Sequence, residues 1–208
     1  MKVFIDLFAG LGGASEAFEA APHWRVLRID NNVDLIPHVH GMVIADVEQP
    51  IYTYTIIEQF ILEHKPKQVV FWMSPPCTEF SYARSNRIEN PDMNLLLDGL
   101  KIRDMIGTLL TRHEIDFVWA VENVKGAIPH FDEAIGIPWH QRIGAFFIWG
   151  TLPWIDFRDA NGKLHRKGDS NKGSRALRPN LRALIPYDVS VAMLETLDWQ
   201  TNLFDFTQ

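Results

Sequence analysis

The only cysteine of this 208-residue chain, Cys77, follows Pro75 and Pro76 at the end of the apolar run Gln68–Met73, which predicts a β-strand. The two prolines stiffen the exit from the strand and direct the thiol into the crevice where open α/β sheets bind ligands. Glu122 ends a second apolar run further along the chain. A thiol and a carboxyl group in one crevice can serve as a nucleophile and a proton donor. The alternative for Cys77 is a small buried hydrophobic side chain, the usual role of a lone cysteine.

A glycine-rich run, Asp6–Gly13, lies between the first predicted strand and the first predicted helix, where glycines allow a ligand to approach the backbone closely. Asp30 ends the second strand, where a carboxylate can accept hydrogen bonds from both hydroxyls of a ribose. Asp46 ends the next strand and can accept a hydrogen bond from an adenine amino group. Singly, each acid also fits a turn or cap, but the three features together favour an adenosine-containing cofactor. The predicted cofactor-binding residues are Phe8, Ala9, Gly10, Leu11, Gly12, Gly13, Asp30, Asn31, Asp46, Val47 and Ser74.

Short apolar runs alternate with amphipathic stretches over the first 125 residues, which predicts βαβ units around a parallel sheet. Aromatic runs at Ala145–Trp149 and Trp154–Phe157 predict an antiparallel hairpin added to that sheet. The fold class is therefore α/β, with a mostly parallel sheet in a single domain. The predicted strands are Lys2–Phe8, Arg25–Ile29, Gln68–Met73 and Asp116–Val121, and the predicted helices are Gly13–Ala21, Ile56–His64, Leu95–His113 and Asp188–Trp199.

Composition limits where the chain works and what it binds. A single cysteine excludes an intramolecular disulfide, and no apolar stretch approaches the ~20 residues of a membrane span, so we expect a cytoplasmic protein without a membrane partner. The net charge of −6 argues superficially against nucleic acid. The segment Arg158–Arg182, however, contains eight Lys and Arg against two Asp. This basic segment either tracks a phosphate backbone or is a solvated loop.

Three motifs, in this order, resemble those of the cytosine-5 DNA methyltransferase family. The run Asp6–Gly13 is similar to the family's first motif, Pro76-Cys77 to its Pro-Cys motif, and Glu122–Val124 to its Glu-Asn-Val motif. The resemblance implies a Rossmann-like methyltransferase fold that binds S-adenosylmethionine. It covers residues 1–125, returns weakly at Gln141–Trp149 and extends to Ile185–Leu197, which is similar to the closing motif beside the cofactor.

The resemblance also implies a reaction. The Cys77 thiolate adds to C6 of cytosine while Glu122, in its protonated form, hydrogen-bonds N3. C5 then accepts the methyl group of S-adenosylmethionine, which leaves as S-adenosylhomocysteine. Loss of the C5 proton and elimination of Cys77 restore the ring. The sequence does not identify the group that removes the C5 proton, and water is a candidate.

The reacting atom lies inside the base stack of duplex DNA, so the resemblance implies that the cytosine is flipped out of the helix. The polar loop Thr78–Asn94 follows the nucleophile and is predicted to close over the base or to hold phosphates. A surface loop without such a role is the alternative. The predicted substrate-binding residues are Pro76, Ser81, Arg84, Asn123 and Val124.

Two departures from the family pattern affect substrate binding. The family's Gln-x-Arg-x-Arg motif is present only as His140–Gly144, so Arg142 alone carries over as a catalytic residue that holds the flipped cytosine. The variable region that supplies target recognition is reduced to a short basic insertion over residues 151–184. Sequence selectivity is then low, confined to a short context, or supplied by a recognition subunit.

The sequence leaves three functions open. The first is a small DNA cytosine-5 methyltransferase that acts on duplex DNA, of the minimal type that a phage or mobile element encodes. The second is the same chemistry on RNA or on a free cytidine nucleotide. The third is a cofactor-binding subunit that needs a partner for activity.

Overall fold

The computed structural model describes residues 1–81, 88, 90–157 and 177–205, and the strands among them form one sheet. Its strand order is β3-β2-β1-β4-β5-β7-β6; the first five strands are parallel, and β7 runs antiparallel to both β5 and β6. The predicted α/β, Rossmann-like fold with an antiparallel hairpin is therefore confirmed. The strands are β1 (Lys2–Leu7), β2 (Trp24–Asp30), β3 (Met42–Ile44), β4 (Gln68–Met73), β5 (Asp116–Asn123), β6 (Gln141–Ile143) and β7 (Phe146–Gly150).

Helices pack against both faces of the sheet, which is why the central strands are almost continuously apolar. Ile57, Ile106 and Phe131 belong to helices on one face of the sheet and lie in one core cluster. Phe18 and Met193 belong to helices on the other face and lie in a second cluster. None of the described helices is long and apolar enough to cross a bilayer. The helices are α1 (Glu16–Ala20), α2 (Pro50–His64), α3 (Asn94–Arg112), α4 (Ile128–Ile135), α5 (Arg178–Ala183) and α6 (Tyr187–Asp205).

The antiparallel hairpin is present, but its partner strand differs from the predicted one. β7 pairs with β6, and the chain between them turns at Gly144, whose φ is +60°. The run Trp154–Phe157, predicted as the second strand, forms no strand. Its residues Ile155 and Phe157 are buried in the second core cluster. The prediction of that strand was wrong because alternate apolar residues can be buried without pairing in a sheet. The sequence pattern is the same in both cases.

The last helix, α6, is tied to the amino ends of the first two strands. Asp198 accepts hydrogen bonds from Lys2 Nζ at 2.8 Å and from Trp24 Nε1 at 3.2 Å, and it contacts His23 Nε2 at 2.8 Å. Burial opposes ionisation of Asp198, yet these partners hold its pKa below the usual value. This cluster fixes α6 beside β1, so that the segment preceding α6 reaches the opposite, carboxyl end of the sheet.

Candidate active site at the carboxyl edge of the sheet

The carboxyl ends of β1, β2, β4 and β5 surround a cavity of about 300 Å³. In the sheet β1 lies between β2 and β4, so the strands that follow β1 in the chain are added first on one side of it and then on the other. Ligands bind at such a switch point in open α/β sheets. Of the predicted cofactor residues, only Gly12 does not line the cavity. The lining includes Phe8, Ala9, Gly10, Leu11, Gly13, Asp30, Asn31, Asp46, Val47 and Ser74, together with Pro76, Cys77 and Glu122.

The glycine-rich run folds into a tight turn that begins at the end of β1. Phe8 has a φ of +60° and Gly10 a φ of +54°, and the Gly12 N–H donates to the Ala9 carbonyl at 2.7 Å. Gly12, with a φ of +73°, packs against a side chain instead of the cavity, because a Cβ there would lie 2.8 Å from Arg28 Nε. The predicted role of Gly12 is therefore indirect: it allows the turn to pack closely on β2.

Asp30 links this turn to the end of β2. Its Oδ2 accepts the Gly10 N–H at 2.9 Å and its Oδ1 accepts the Asn32 N–H at 3.0 Å. Asp46 is held in a similar way, with Oδ1 accepting the Glu48 N–H at 3.1 Å. Each carboxylate oxygen has a second lone pair. Both acids therefore make the turn hydrogen bonds that were the alternative to ligand binding. Both also line the cavity, where their carboxylate oxygens can accept further hydrogen bonds from a ligand.

A buried network lies directly behind the turn. Ser15 Oγ donates to Asp6 Oδ2 at 2.6 Å and accepts from Arg28 Nε at 2.8 Å. Burial, with a smaller contribution from the Asp30 carboxylate, raises the pKa of Asp6 to about 7, although the Ser15 hydrogen bond and the Arg28 charge act in the opposite direction. Asp6 also lines the cavity. No role beyond the motif could be predicted for Asp6 from the sequence, because its coupling to Arg28 depends on the pairing of β1 with β2.

Backbone and side-chain hydrogen bonds fix the segment that carries the cysteine. Asn123 Nδ2 donates to the Pro75 carbonyl at 2.9 Å, and Asn123 Oδ1 accepts the Val124 N–H at 2.8 Å. Beyond the prolines the chain makes a turn, in which the Ser81 N–H donates to the Cys77 carbonyl at 3.0 Å. Asn123 is only 2% exposed. It therefore joins the ends of β4 and β5 and sets the position of Cys77 relative to β5.

Cys77 and Glu122 reach the same cavity from these two strand ends. Cys77 is half-buried, whereas Glu122 is 6% exposed. Ser81, Asn123 and Val124 do not line the cavity. Arg84 lies outside the described residues, as does the basic segment before residue 177. Of the residues predicted to contact substrate, the structure thus brings Pro76 to the cavity. Asn123 holds the neighbouring Pro75 carbonyl, and Val124 donates its N–H to Asn123.

The segment before α6 closes one side of the cavity. Asn180, Ala183, Leu184 and Ile185 line it, although they are more than 160 positions from the glycine turn. The basic insertion predicted from the sequence includes residues up to 184, and only Ile185–Leu197 is predicted to lie beside the cofactor. No local signal marks Asn180 or Ala183, because their contact with the turn arises from the docking of α6.

The family of the chain follows from its similarity to known proteins. The sequence profile of the C-5 cytosine-specific DNA methylases matches residues 2–133. The chain belongs to the C-5 cytosine-specific DNA methylase family. The profile spans the glycine turn, Cys77 and Glu122, so the family predicted from the three motifs is confirmed.

Solved structures similar to this methylase-family chain include EhMeth, a methyltransferase of Entamoeba histolytica, at 15% identity and a TM-score of 0.41. That match covers 82% of this chain, which spans 58% of the length of EhMeth. Leucoanthocyanidin reductase from Vitis vinifera matches at 15% identity and a TM-score of 0.24, covering 57% of this chain and 46% of the reductase. No curated protein matches the sequence at a significant level.

Arg142, the residue of this chain predicted to hold the flipped cytosine, lies apart from the cavity. It pairs with Phe147, which pairs with Asn123, whereas Glu122 pairs with Ile148. Adjacent positions of a strand face opposite sides of the sheet, so Arg142 and Glu122 start from opposite faces. The guanidinium is 5.2 Å from the Phe147 ring, and Nε donates to the Gly144 carbonyl at 2.7 Å. The catalytic role of Arg142 stays a prediction.

A substitution at Gly13 tests the contact between the glycine turn and the segment that precedes α6. A Cβ at Gly13 would collide with the Ile185 carbonyl oxygen and lie 2.6 Å from Leu184 Cδ1. We expect Gly13→Ala to lower the free energy of unfolding by about 1–3 kcal/mol, as other overpacking substitutions do. Urea denaturation measures this change.

Gly107→Ala in α3 is the matched control. A Cβ there meets Phe117 Cε1 at 3.4 Å, an ordinary contact. Replacing a glycine in the middle of a helix should raise the free energy of unfolding by about 0.5–1 kcal/mol. Equal stability of the Gly13→Ala and wild-type proteins would contradict the packing of residues 184–185 on the turn.

Proposed function

We propose that this chain transfers a methyl group from S-adenosylmethionine to C5 of cytosine in DNA, with Cys77 as the covalent nucleophile. The observation that carries the proposal is that Cys77 and Glu122 line one cavity with the glycine turn, Asp30 and Asp46. A nucleophile, a carboxyl group and a set of nucleoside-binding acceptors thus share a single crevice. The family to which the chain belongs is defined by methylation of cytosine at C5.

The residues of the cavity fit the proposed cofactor. Asp30 and Asp46 present carboxylate oxygens at the ends of β2 and β3, where ribose hydroxyls and an adenine amino group are donors. The backbone of the turn at Gly10 and Gly13 lines the same space without a Cβ. When bound, S-adenosylmethionine supplies an electrophilic methyl group. These four residues would hold its nucleoside and amino-acid portions.

Cys77 and Glu122 then act on the cytosine. The thiolate of Cys77 donates an electron pair to C6, forming a carbon–sulfur bond, while Glu122 gives a proton to N3. The C5=C6 π electrons are thereby made available at C5, which becomes nucleophilic. After methylation, the C5 proton leaves to water, the electron pair of the C5–H bond restores the double bond, and the Cys77 sulfur departs as a thiolate. N3 returns its proton to Glu122, so both residues are regenerated.

Transfer of labelled methyl groups tests this proposal and identifies the substrate. The purified chain is incubated with labelled S-adenosylmethionine and, separately, duplex DNA, single-stranded DNA, RNA and dCTP. We expect 5-methylcytosine in DNA, with the duplex as a substrate because the cytosine is flipped out. Label in RNA or dCTP alone would overturn the DNA assignment, and no label in any substrate would contradict methylation by the chain alone.

A recognition subunit remains part of the proposal, since residues 151–184 are too few for an independent recognition domain. Bisulfite sequencing of DNA from cells that express the protein reports the methylated context. We expect methylation in a short or degenerate context if the chain acts alone. Activity of the purified chain only after addition of a partner would show that recognition is supplied in trans.

Binding to duplex DNA should depend on salt through the basic segment Arg158–Arg182. If about six of its side chains contact phosphates, log K should fall against log[salt] with a slope of roughly −5. Replacing Lys163, Arg166 and Lys167 by glutamine should reduce the magnitude of this slope by about 3. Fluorescence anisotropy with labelled DNA measures both slopes.

Lys101→Gln on the exposed face of α3 is the control for loss of a positive charge. It lies outside the basic segment and should leave the slope unchanged within error. A slope near zero for the wild-type chain would exclude phosphate contacts by this segment.

A further inference from the structure

Residues 75–81, the nucleophile segment, line two cavities. Pro75, Pro76 and Thr78 line the active-site cavity, and the same three residues line a second cavity of about 110 Å³ whose other walls include Leu96 and Phe131. A segment with open space on two sides is held less firmly by packing than a strand in a close-packed core. The position of Cys77 therefore depends on the contacts that the segment makes with neighbouring elements.

Two of these contacts lie near the ends of the nucleophile segment. At one end, Asn123 of β5 donates to the Pro75 carbonyl at 2.9 Å. At the other end, Phe80 is 7% exposed and packs edge-to-face on Phe131 of α4, with ring centroids 5.1 Å apart. Two points of attachment define an axis, about which the turn between them can still rotate. Rotation about this axis would carry the Cys77 sulfur toward or away from the active-site cavity.

Glu79 supplies a third contact, away from this axis. Its Oε2 accepts the Asp92 N–H at 2.6 Å, and Asp92 Oδ1 accepts the N–H of Asn94, the first residue of α3, at 2.8 Å. Glu79 lies inside the turn that the Ser81 N–H closes on the Cys77 carbonyl at 3.0 Å. The helix α3 is itself fixed in the core through several buried apolar side chains. The bond from Glu79 thus attaches the turn to a rigid element.

We infer that Glu79 is a positioning residue, which holds the Cys77 sulfur where it can reach C6 of cytosine by fixing the turn of the nucleophile segment against the start of α3. The inference rests on the proposed function, since it takes Cys77 as the nucleophile. Glu79 acts as a hydrogen-bond acceptor of the right length, and its charge is not required. Length and charge can be separated, because glutamine keeps the length and aspartate keeps the charge.

Formation of the carbon–sulfur bond tests this role more directly than turnover. DNA that carries 5-fluorocytosine traps the adduct, and its rate of formation is measured in a single turnover of the full chain with S-adenosylmethionine. Glu79→Ala should slow this step by about 10- to 100-fold, the cost of displacing a reacting group by about 1 Å. The affinity for S-adenosylmethionine, measured by calorimetry, should not change, because Glu79 does not line the active-site cavity.

Two further substitutions at the same position separate geometry from charge. Glu79→Gln keeps an acceptor oxygen at the same distance from the backbone and should restore most of the rate. Glu79→Asp keeps the charge but is one methylene too short to reach the Asp92 N–H, so it should be nearly as slow as Glu79→Ala. This pair of variants decides the question if Glu79→Ala fails to fold.

Glu63→Ala is the matched control, since it removes a carboxylate from the exposed surface of α2. Its rate of adduct formation should equal that of the wild type. Urea denaturation of each variant identifies conditions in which the protein is folded, and the rates are compared only there. A loss of rate in folded Glu79→Asp that Glu79→Gln does not share is not expected from a general loss of stability.

The outcomes distinguish this inference from the proposed function. Adduct formation at the wild-type rate in Glu79→Ala or Glu79→Asp would overturn the inference and leave the proposed function intact. A rate as low in Glu79→Gln as in Glu79→Ala would overturn it as well, and so would a raised KM for DNA with an unchanged rate of adduct formation. Failure of the wild-type chain to form any adduct would count against the proposed function itself and would overturn the inference with it.

Discussion

Replacing Cys77 by serine is expected to lower kcat for cytosine methylation by on the order of 10⁴-fold or more, as loss of a covalent nucleophile does elsewhere. A serine hydroxyl fits the same space, but it is almost fully protonated at neutral pH and adds poorly to C6. The affinity for S-adenosylmethionine should change little. Steady-state transfer to duplex DNA measures kcat, and calorimetry measures cofactor binding.

The single cysteine makes a second measurement possible. Any alkylation of a thiol in the wild-type chain is alkylation of Cys77, so loss of activity should follow the fraction of thiol modified. DNA that carries 5-fluorocytosine should trap a covalent adduct, because the fluorine at C5 cannot leave as the proton does. Retention of activity by Cys77→Ser, or an adduct formed by that variant, would contradict nucleophilic catalysis at this residue.

Glu122→Gln is expected to reduce kcat by about 10²- to 10⁴-fold, the usual contribution of general acid–base catalysis. Glutamine keeps the shape of the side chain and can hydrogen-bond N3, but it cannot transfer a proton there as C6 is attacked. Negative charge then accumulates on the ring. Trapping of the 5-fluorocytosine adduct should slow by a similar factor, since Glu122 acts in the step that forms the carbon–sulfur bond.

Glu133→Gln provides the matched control for this substitution. Glu133 is exposed on α4 and does not line the cavity, so its kcat should equal that of the wild type. Cofactor affinity of Glu122→Gln, measured by calorimetry, shows whether the cavity is intact. A variant that binds cofactor and methylates DNA at the wild-type rate would remove Glu122 from the mechanism.

Both predictions depend on how Asn123 joins two strand ends. Its amide donates to the Pro75 carbonyl on the β4 side, while the residue itself ends β5 next to Glu122. Buried amides of this kind are costly to leave unpaired, so the position of the nucleophile is fixed relative to the acid before substrate binds. The order Glu-Asn in the sequence thus serves two purposes, one chemical and one structural.

The sequence by itself determined the residues that line the cavity from the strand ends. Gly10, Asp30, Asp46, Cys77 and Glu122 each follow or end an apolar run, and parallel strands bring their carboxyl ends to one edge of the sheet. That inference requires only the local pattern and the direction of the strands. It succeeded for this reason, without knowledge of strand order.

Contacts between distant segments were decided by the tertiary structure. Asn180 and Ala183 reach the glycine turn only because α6 docks beside β1, and the basic composition of the preceding segment concealed this role. Arg142 carries a family motif, but its face of the sheet depends on the register of β6 with β7. A shift of one residue in register reverses every side chain of a strand, and the sequence alone does not specify that register.

Asp6 shows the same division within one residue. Its place in the glycine-rich motif could be predicted from the sequence, whereas its raised pKa could not. Burial and the neighbouring Arg28 and Asp30 set its pKa, and these neighbours come together only when β1 pairs with β2. Residue types and their spacing therefore determined which chemistry was available, and the packing of strands and helices decided which groups share a cavity and how each is charged.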